Sequence, residues 1–197
     1  MEKNLMRHYR LANKLSELFD LESDIDNVLA GSMDKLNEIM DSERSSIFLF
    51  DALNQQLTSF SSQDLEKKDI RIPKSSGVAG WVFEHREPAL VNNTDTDSRF
   101  FKGVDVITGF QTRNMICTPL IDYKENCLGT LQSLNKKSGD FTADDLELLD
   151  LAARLMAVAI KNNIRFNEIQ TTNMACNKLI KKVVSSIGNQ ADKYELL

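Results

Sequence analysis

Two short stretches of this chain hold residue types able to grip a small polar ligand. In "SSGVAGWV", Gly77 and Gly80 lead into a helical pattern, and the first amides of a helix carry a field of roughly half a positive charge that favours an anion. The same glycines serve equally as an ordinary turn. In "GFQTRN", residues 109–114, Thr112, Arg113 and Asn114 gather compact donors and acceptors between "FFKGVDVIT" and the apolar run "MICTPLI". A further turn in "SRFFKG", from Phe100 to Gly103, offers a second place for anion contact. All of these are groups for reversible binding. Bond-making chemistry needs a nucleophile beside a base, yet neither His8 nor His85 neighbours a serine or cysteine motif, and there is no GxSxG and no P-loop. No catalytic residue is assigned. The two histidines are far apart and no CxxC occurs, so no metal site is expected.

The elements that would position these groups follow from hydrophobic period. Leu5, Tyr9, Ala12, Leu15 and Phe19 recur at spacings of three and four, which predicts a first helix over Asn4 to Phe19. A second helix is predicted from Ile25 to Met40. Then the period changes: "SSIFLFD" (Ser45 to Asp51) and "QLTSFSS" read as a hairpin turning through "DALNQ", and "KDIRIPK" as a short strand ended by Pro73. The glycine-rich "SSGVAGWVFEHREP" gives a short helix stopped by Pro88, followed by a strand at "ALVN", a polar loop from Asn92 to Ser98 and one helical turn in "RFFKGVD". "NMICTPLID" and "CLGTLQSLNK" form a last hairpin through "YKEN". Strands gathered between terminal helices predict an α+β layer structure, an antiparallel sheet with helices on one face and a ligand loop region on the other.

The last helix starts at Thr142, with Asp145 in capping-box spacing. Leu148, Ala152, Leu155, Ala159, Asn162, Phe166, Ile169, Asn173, Cys176, Ile180, Val183 and Ile187 continue in steps of four and three, which is a heptad seam. Asn162 and Asn173 on that seam would fix register and strand number, so a parallel homodimer is the expected assembly. The alternative is a long helix folded back on its own domain.

Composition bounds the rest. A chain of 197 residues with 42% hydrophobic and 27% charged residues buries one core plus an appended helix. Net charge −5 with scattered lysines and arginines argues against nucleic acid as a partner. No apolar run reaches the roughly 18 residues of a membrane span, and "MEKNLMRHYR" lacks signal-peptide character. Cys117, Cys127 and Cys176 are odd in number and widely spaced, suiting reduced thiols. A cytoplasmic location is expected.

"RSSIFLFD", "DIRIPKSSGVAGWV", "FFKGVDVITGFQTRN" with "MICTPL", and "LNKKSGDFTADD" occur in this order between about Asp24 and Asn163. In these the chain resembles the GAF domain family, specifically the cyclic-nucleotide-binding GAF domains of phosphodiesterases and cyanobacterial adenylyl cyclases. The resemblance implies a GAF-like antiparallel sheet with its ligand pocket under a lid, to which the heptad seam adds a long coiled-coil-forming C-terminal helix. With the helices read from spacing, the expected domains are an N-terminal helix over 1–23, a GAF domain over 24–163, and a signalling or dimerisation helix and tail over 164–197. The implied ligand is cAMP or cGMP, with no other cofactor. By position, Ser46 and Phe60 would line the purine site, with Phe60 stacking on the base. Val78, Ala79 and Phe101 would offer backbone groups to the cyclic phosphate. Asp105, Thr108 and Thr112 would contact base, ribose or lid, the threonines meeting polar nucleotide edges without an unpaired charge. Asn135, Lys136, Phe141 and Asp145 match a structural motif in which a lysine to aspartate bridge ties the last strand to the last helix; Asp145 as a mere helix cap is the competing reading.

The chain departs from the family pattern at Leu146 and Gln132, each standing where a glutamate is usual, and at Ser61, where some guanine-binding relatives are acidic. Base preference stays open, leaning to adenine. The function implied is a regulatory sensor passing ligand binding to its terminal helices, with room for an output domain in a longer protein. The alternatives are a GAF domain with another small ligand, or one that only dimerises. Some GAF relatives reduce methionine sulfoxide through cysteines; Ala79 stands where they carry one.

Overall fold

In the computed structural model the described backbone covers residues 2–21, 25–60 and 70–194, and the described side chains cover 5–17, 25–59 and 70–182. The elements run α1 (Glu2–Leu21), α2 (Ile25–Met40), β1 (Ser42–Asp51), β2 (Gln56–Phe60), β3 (Arg71–Pro73), α3 (Gly77–His85), β4 (Ala89–Val91), α4 (Gly103–Thr108), β5 (Met115–Ile121), β6 (Cys127–Lys136) and α5 (Ala143–Tyr194). The strands form one antiparallel sheet in the order β3-β2-β1-β6-β5-β4. The chain divides into two units, Met1–Ala159 and Ile160–Leu197.

Both hairpins begin at an aspartate whose carboxylate catches the turn's own amides. Asp51 Oδ1 accepts from Leu53 N at 2.9 Å and Asn54 N at 3.1 Å, and Asp122 Oδ1 accepts from Lys124 N at 2.8 Å and Asn126 N at 2.9 Å. Such turns are favoured by the short acidic side chain. The helical turn expected in "RFFKGVD" begins later, at Gly103. Asp97 explains the shift: its carbonyl accepts from Phe100 N at 3.0 Å and its carboxylate from Arg99 N at 2.9 Å, so residues 97–100 close a separate turn.

Antiparallel pairing sets two faces of the sheet, because side chains alternate along each strand. On one face lie Ile47, Leu131 and Thr118, in register with one another. Helices α2 and α5 cover this side: Thr118 donates to Asp150 at 3.0 Å, and α2 buries Val28, Leu29, Met33, Leu36 and Met40. Helix α1 packs on α2 through the fully buried Leu11 and Leu15. On the opposite face Phe48, Leu57, Met115, Cys117 and Leu134 cluster with Val78, Ala79 and Val82 of α3. Phe100, Val104 and Phe110, around α4, pack against the same cluster.

In the second unit the helix carries Phe166 and Ile169 each 58% exposed and Ile180 59% exposed. These are seam positions; Ile164, Met174 and Leu179, which lie off the seam, are exposed as well, at 39%, 69% and 63%. Val183 and Ile187 lie outside the described side chains. Among the described residues no helix is long and apolar enough to cross a membrane, and no group of three or more His, Cys, Asp or Glu is placed to hold a metal ion.

Candidate ligand-binding site

At the centre of the α3-covered face sits a polar pair. Ser46 and Gln132 are in register across β1 and β6, both buried, and Gln132 Nε2 donates to Ser46 Oγ at 2.9 Å. Their neighbours along this face are apolar: Phe48, Cys117 and Leu134. Thr130, two residues before Gln132 on the same strand face, is fully buried, with its hydroxyl beside the Cys117 thiol.

The start of α3 forms a second wall. Ser76 is extended (φ −91°, ψ 135°) and its side chain makes no capping hydrogen bond, so it does not occupy the first amides of the helix. Gly77 has φ +71°, a conformation that favours glycine, and a Cβ there would lie 3.4 Å from Cβ of Phe101. The turn before α4 therefore closes directly onto the helix start, where Val78 and Ala79 are buried.

The lid is held by its own side chains. Thr112 donates to Asp105 twice, from its backbone N to Oδ2 at 2.8 Å and from Oγ1 to Oδ1 at 2.7 Å. Thr108 Oγ1 donates to Val104 O at 2.9 Å and accepts from Phe110 N at 3.2 Å. Both threonine hydroxyl protons are engaged inside the lid, so towards a ligand these groups act as acceptors. Beyond the lid, Asn135 anchors the return to the sheet: its Oδ1 accepts from Arg113 N at 2.7 Å, and its Nδ2 donates to Gln111 O and to Glu43 Oε2, each at 2.8 Å. Asn135 has φ 56°, which asparagine tolerates better than most residues.

Behind the sheet, Asp145 joins four elements. Its Oδ2 accepts from Thr142 N and Thr142 Oγ1, each at 3.0 Å, and Asp145 N donates back to Thr142 Oγ1 at 3.2 Å. Its Oδ1 accepts from Lys136 Nζ at 3.0 Å and Arg7 Nη2 at 2.7 Å. Lys136 Nζ also donates to Met40 O at 2.7 Å, and Arg7 to Ile39 O at 3.2 Å. Capping and bridging thus occur together, one on each carboxylate oxygen. Burial acts to raise the Asp145 pKa, but the hydrogen bonds from Arg7, Lys136 and the Thr142 amide hold it below the usual value. Phe141 is buried beside this junction, its ring 5.6 Å from Lys136 Nζ.

Of the residues singled out from sequence, the fold brings Ser46 and Gln132 into direct contact, sets Phe101 against the start of α3 beside Val78 and Ala79, and joins Asp105, Thr108 and Thr112 in one lid. Phe60 is different. Its backbone pairs with Ile47 at the end of β2, and its side chain lies outside those described. Ser59, paired with Phe48, lies on the site face, and its hydroxyl accepts from Ile70 N at 3.1 Å. Ser61 lies outside the described residues. Arg44 and Phe110 were not singled out from sequence, yet the Arg44 guanidinium carbon stands 4.9 Å from the Phe110 ring centroid. Period-two counting from Ser46 along β1 is the signal that would have found Arg44. Cys117 lies on the site face, but burial pushes its thiol up to about 12, far from a reactive thiolate.

Comparison with known proteins gives a consistent picture. The chain is 27% identical over 187 residues to a probable 3',5'-cyclic phosphodiesterase, pde-5, of Caenorhabditis elegans, covering 86% of this chain and 25% of the relative. It is 26% identical over 137 residues to the dual 3',5'-cyclic-AMP and -GMP phosphodiesterase 11A of Takifugu rubripes, covering 63% of this chain and 15% of the relative. The chain thus spans a quarter or less of the length of these relatives. Among solved structures, the GAF domain of a phosphoenolpyruvate-protein phosphotransferase from Coxiella burnetii superposes with TM-score 0.72 at 16% identity, over 83% of this chain and 98% of that one. Free methionine-R-sulfoxide reductase from Neisseria meningitidis shares the fold with TM-score 0.67 at 20% identity, over 82% of this chain and 92% of that one. The family model described as GAF domain matches residues 24–160, and the chain belongs to the GAF domain family.

Proposed function

We propose that the domain is a regulatory sensor that holds a cyclic nucleotide, cAMP or cGMP, between the site face of the sheet and the lid. The observation that carries this reading is the buried Ser46 and Gln132 pair, set in apolar surroundings beside a helix start whose cap side chain leaves the amides alone. Such a face suits a flat heterocycle with a polar edge, and the helix start suits a singly charged phosphate. The Thr112 hydroxyl, its proton given to Asp105, is left to accept from a ribose hydroxyl. The kinship with phosphodiesterases of cyclic nucleotides supports the same ligand class. Binding biases the terminal helices only by as much as the ligand's affinity differs between lid states. In a parallel homodimer the seam through Phe166, Ile169 and Ile180 carries that bias to whatever follows in a longer protein.

A second reading is a module that dimerises without a nucleotide, favoured by Phe100, Val104 and Phe110 already packing on the site-face cluster. Native mass spectrometry of gently purified protein incubated with cAMP or cGMP separates the two. One nucleotide per chain is the expected result. Retention of a different small molecule, undisplaced by either nucleotide, contradicts the proposal.

A further inference from the structure

Two adjacent residues at the start of β1 hold the segment by which the lid returns to the sheet, and they hold it differently. Glu43 belongs to the rigid part: its Oε1 accepts from Arg113 Nη2 at 2.6 Å and its Oε2 from the fully buried Asn135, which also fixes Gln111 O and Arg113 N. Arg44 alternates to the other face, the one that carries Ser46, where it pairs in register with Leu134 and places its guanidinium over the ring of Phe110. Phe110 precedes the fixed residues by one position, and its own ring packs on the site-face cluster. The anchored stretch therefore begins at Gln111, and the contacts that hold residues 103–110 to the rest are the two hydrogen bonds from Thr112 to Asp105, the packing of Phe110 on the site-face cluster and the Arg44 stack. Each can break without disturbing the backbone ladder, and each adds to the stability of the closed lid.

We propose that Arg44 is a positioning residue that clasps the lid shut: its cation–π contact with Phe110 sets how often residues 103–110 swing away from the site face, with the hinge at Phe110 and Gln111. Its consequence for ligand release rests on the sensor function proposed above; the clasp itself does not. A guanidinium over an aromatic ring contributes about as much as a several-fold change in an opening equilibrium. That equilibrium should appear both in how fast a ligand leaves and in how fast it arrives, because escape and entry each require the lid to open.

The test is amide hydrogen exchange on the ligand-free full chain, for wild type, Arg44→Gln, Phe110→Leu and the double variant, with Arg44→Lys as the conservative replacement. Each single variant is expected to speed exchange across residues 103–110 by roughly five-fold while α2 and β6 keep their rates, the double variant to add nothing, and Arg44→Lys to recover part of the protection. Stopped-flow release and association of cAMP and cGMP should both accelerate by a similar factor. Unchanged exchange at 103–110 in Arg44→Gln overturns the clasp, as does equal acceleration in β6, which would make Arg44 a general stabiliser of the sheet. If neither nucleotide binds, the sensor function fails, and exchange alone still decides the clasp.

Discussion

Lys136 and Asp145 form a bridge of 3.0 Å behind the site, and the same carboxylate oxygen takes Arg7 of the first helix at 2.7 Å. The Asp145 side chain is 3% exposed, that of Lys136 11% and that of Arg7 25%. Neutralising Asp145 thus leaves a nearly buried ammonium without its counter-charge, whereas removing Arg7 leaves the inner bridge intact.

Asp145→Asn keeps a side chain able to cap α5 but loses the charge, so it should destabilise the fold by about 3 kcal/mol, far more than a cap exchange. Arg7→Ala should cost roughly 1 kcal/mol, as fits a partly solvated partner. Urea denaturation of both variants checks the order. Equal and small losses would show that only the capping half of Asp145 contributes.

The same group sets an acid limit. Its folded pKa is depressed, so its contribution is fully present above the unfolded value of about 3.9 and is lost as pH falls through the folded value below that. The difference in urea midpoint between wild type and Asp145→Asn should stay constant from pH 7 to about 5 and shrink below about 4. A difference that grows on acidification contradicts the assignment.

Much of this arrangement was legible in the sequence. Helix α2 and the paired strands followed from changes of period, and Thr142 with Asp145 from capping-box spacing. Positions fixed by long-range pairing were not. The pairing of Ser59 with Phe48 and of Arg44 with Leu134 depends on strand register, which no local pattern supplies. Arg7 lies 138 residues from Asp145 and reads on its own as a solvated charge. Thr108 and Thr112 looked like ligand donors because their types are visible in sequence, while the acceptors that engage them, Val104 O and Asp105, become neighbours only once α4 is wound.

Gln132 offers a handle on base preference. A carboxylate there accepts from the two neighbouring N–H groups on the guanine edge and meets an acceptor on the adenine edge. Gln132→Glu should therefore shift the ratio of affinities towards cGMP by about ten-fold, the scale of one charge-assisted hydrogen bond. Competition between the two nucleotides on wild type and variant measures it; an unchanged ratio would remove Gln132 from the base edge.

Cys176 is exposed on its helix, and the proposed parallel homodimer would set it opposite its twin across the seam. With Cys117 and Cys127 replaced by serine, mild oxidation should yield a disulfide-linked dimer on a non-reducing gel, at a separation that a disulfide spans. A chain that stays monomeric under oxidation and elutes as a monomer at high concentration contradicts the paired helix.

The most direct test of the sensor reading is calorimetric titration of ligand-stripped protein with cAMP and with cGMP, paired with thermal melting and repeated on Thr112→Val. One saturable site per chain is expected for at least one nucleotide, with a stabilisation of about 2.7 kcal/mol at a hundredfold excess over its dissociation constant. Thr112→Val, which removes the hydroxyl bonded to Asp105 at little change in shape, should weaken binding by about ten-fold. Absence of heat and of any melting shift at millimolar concentrations of both nucleotides would contradict the central claim.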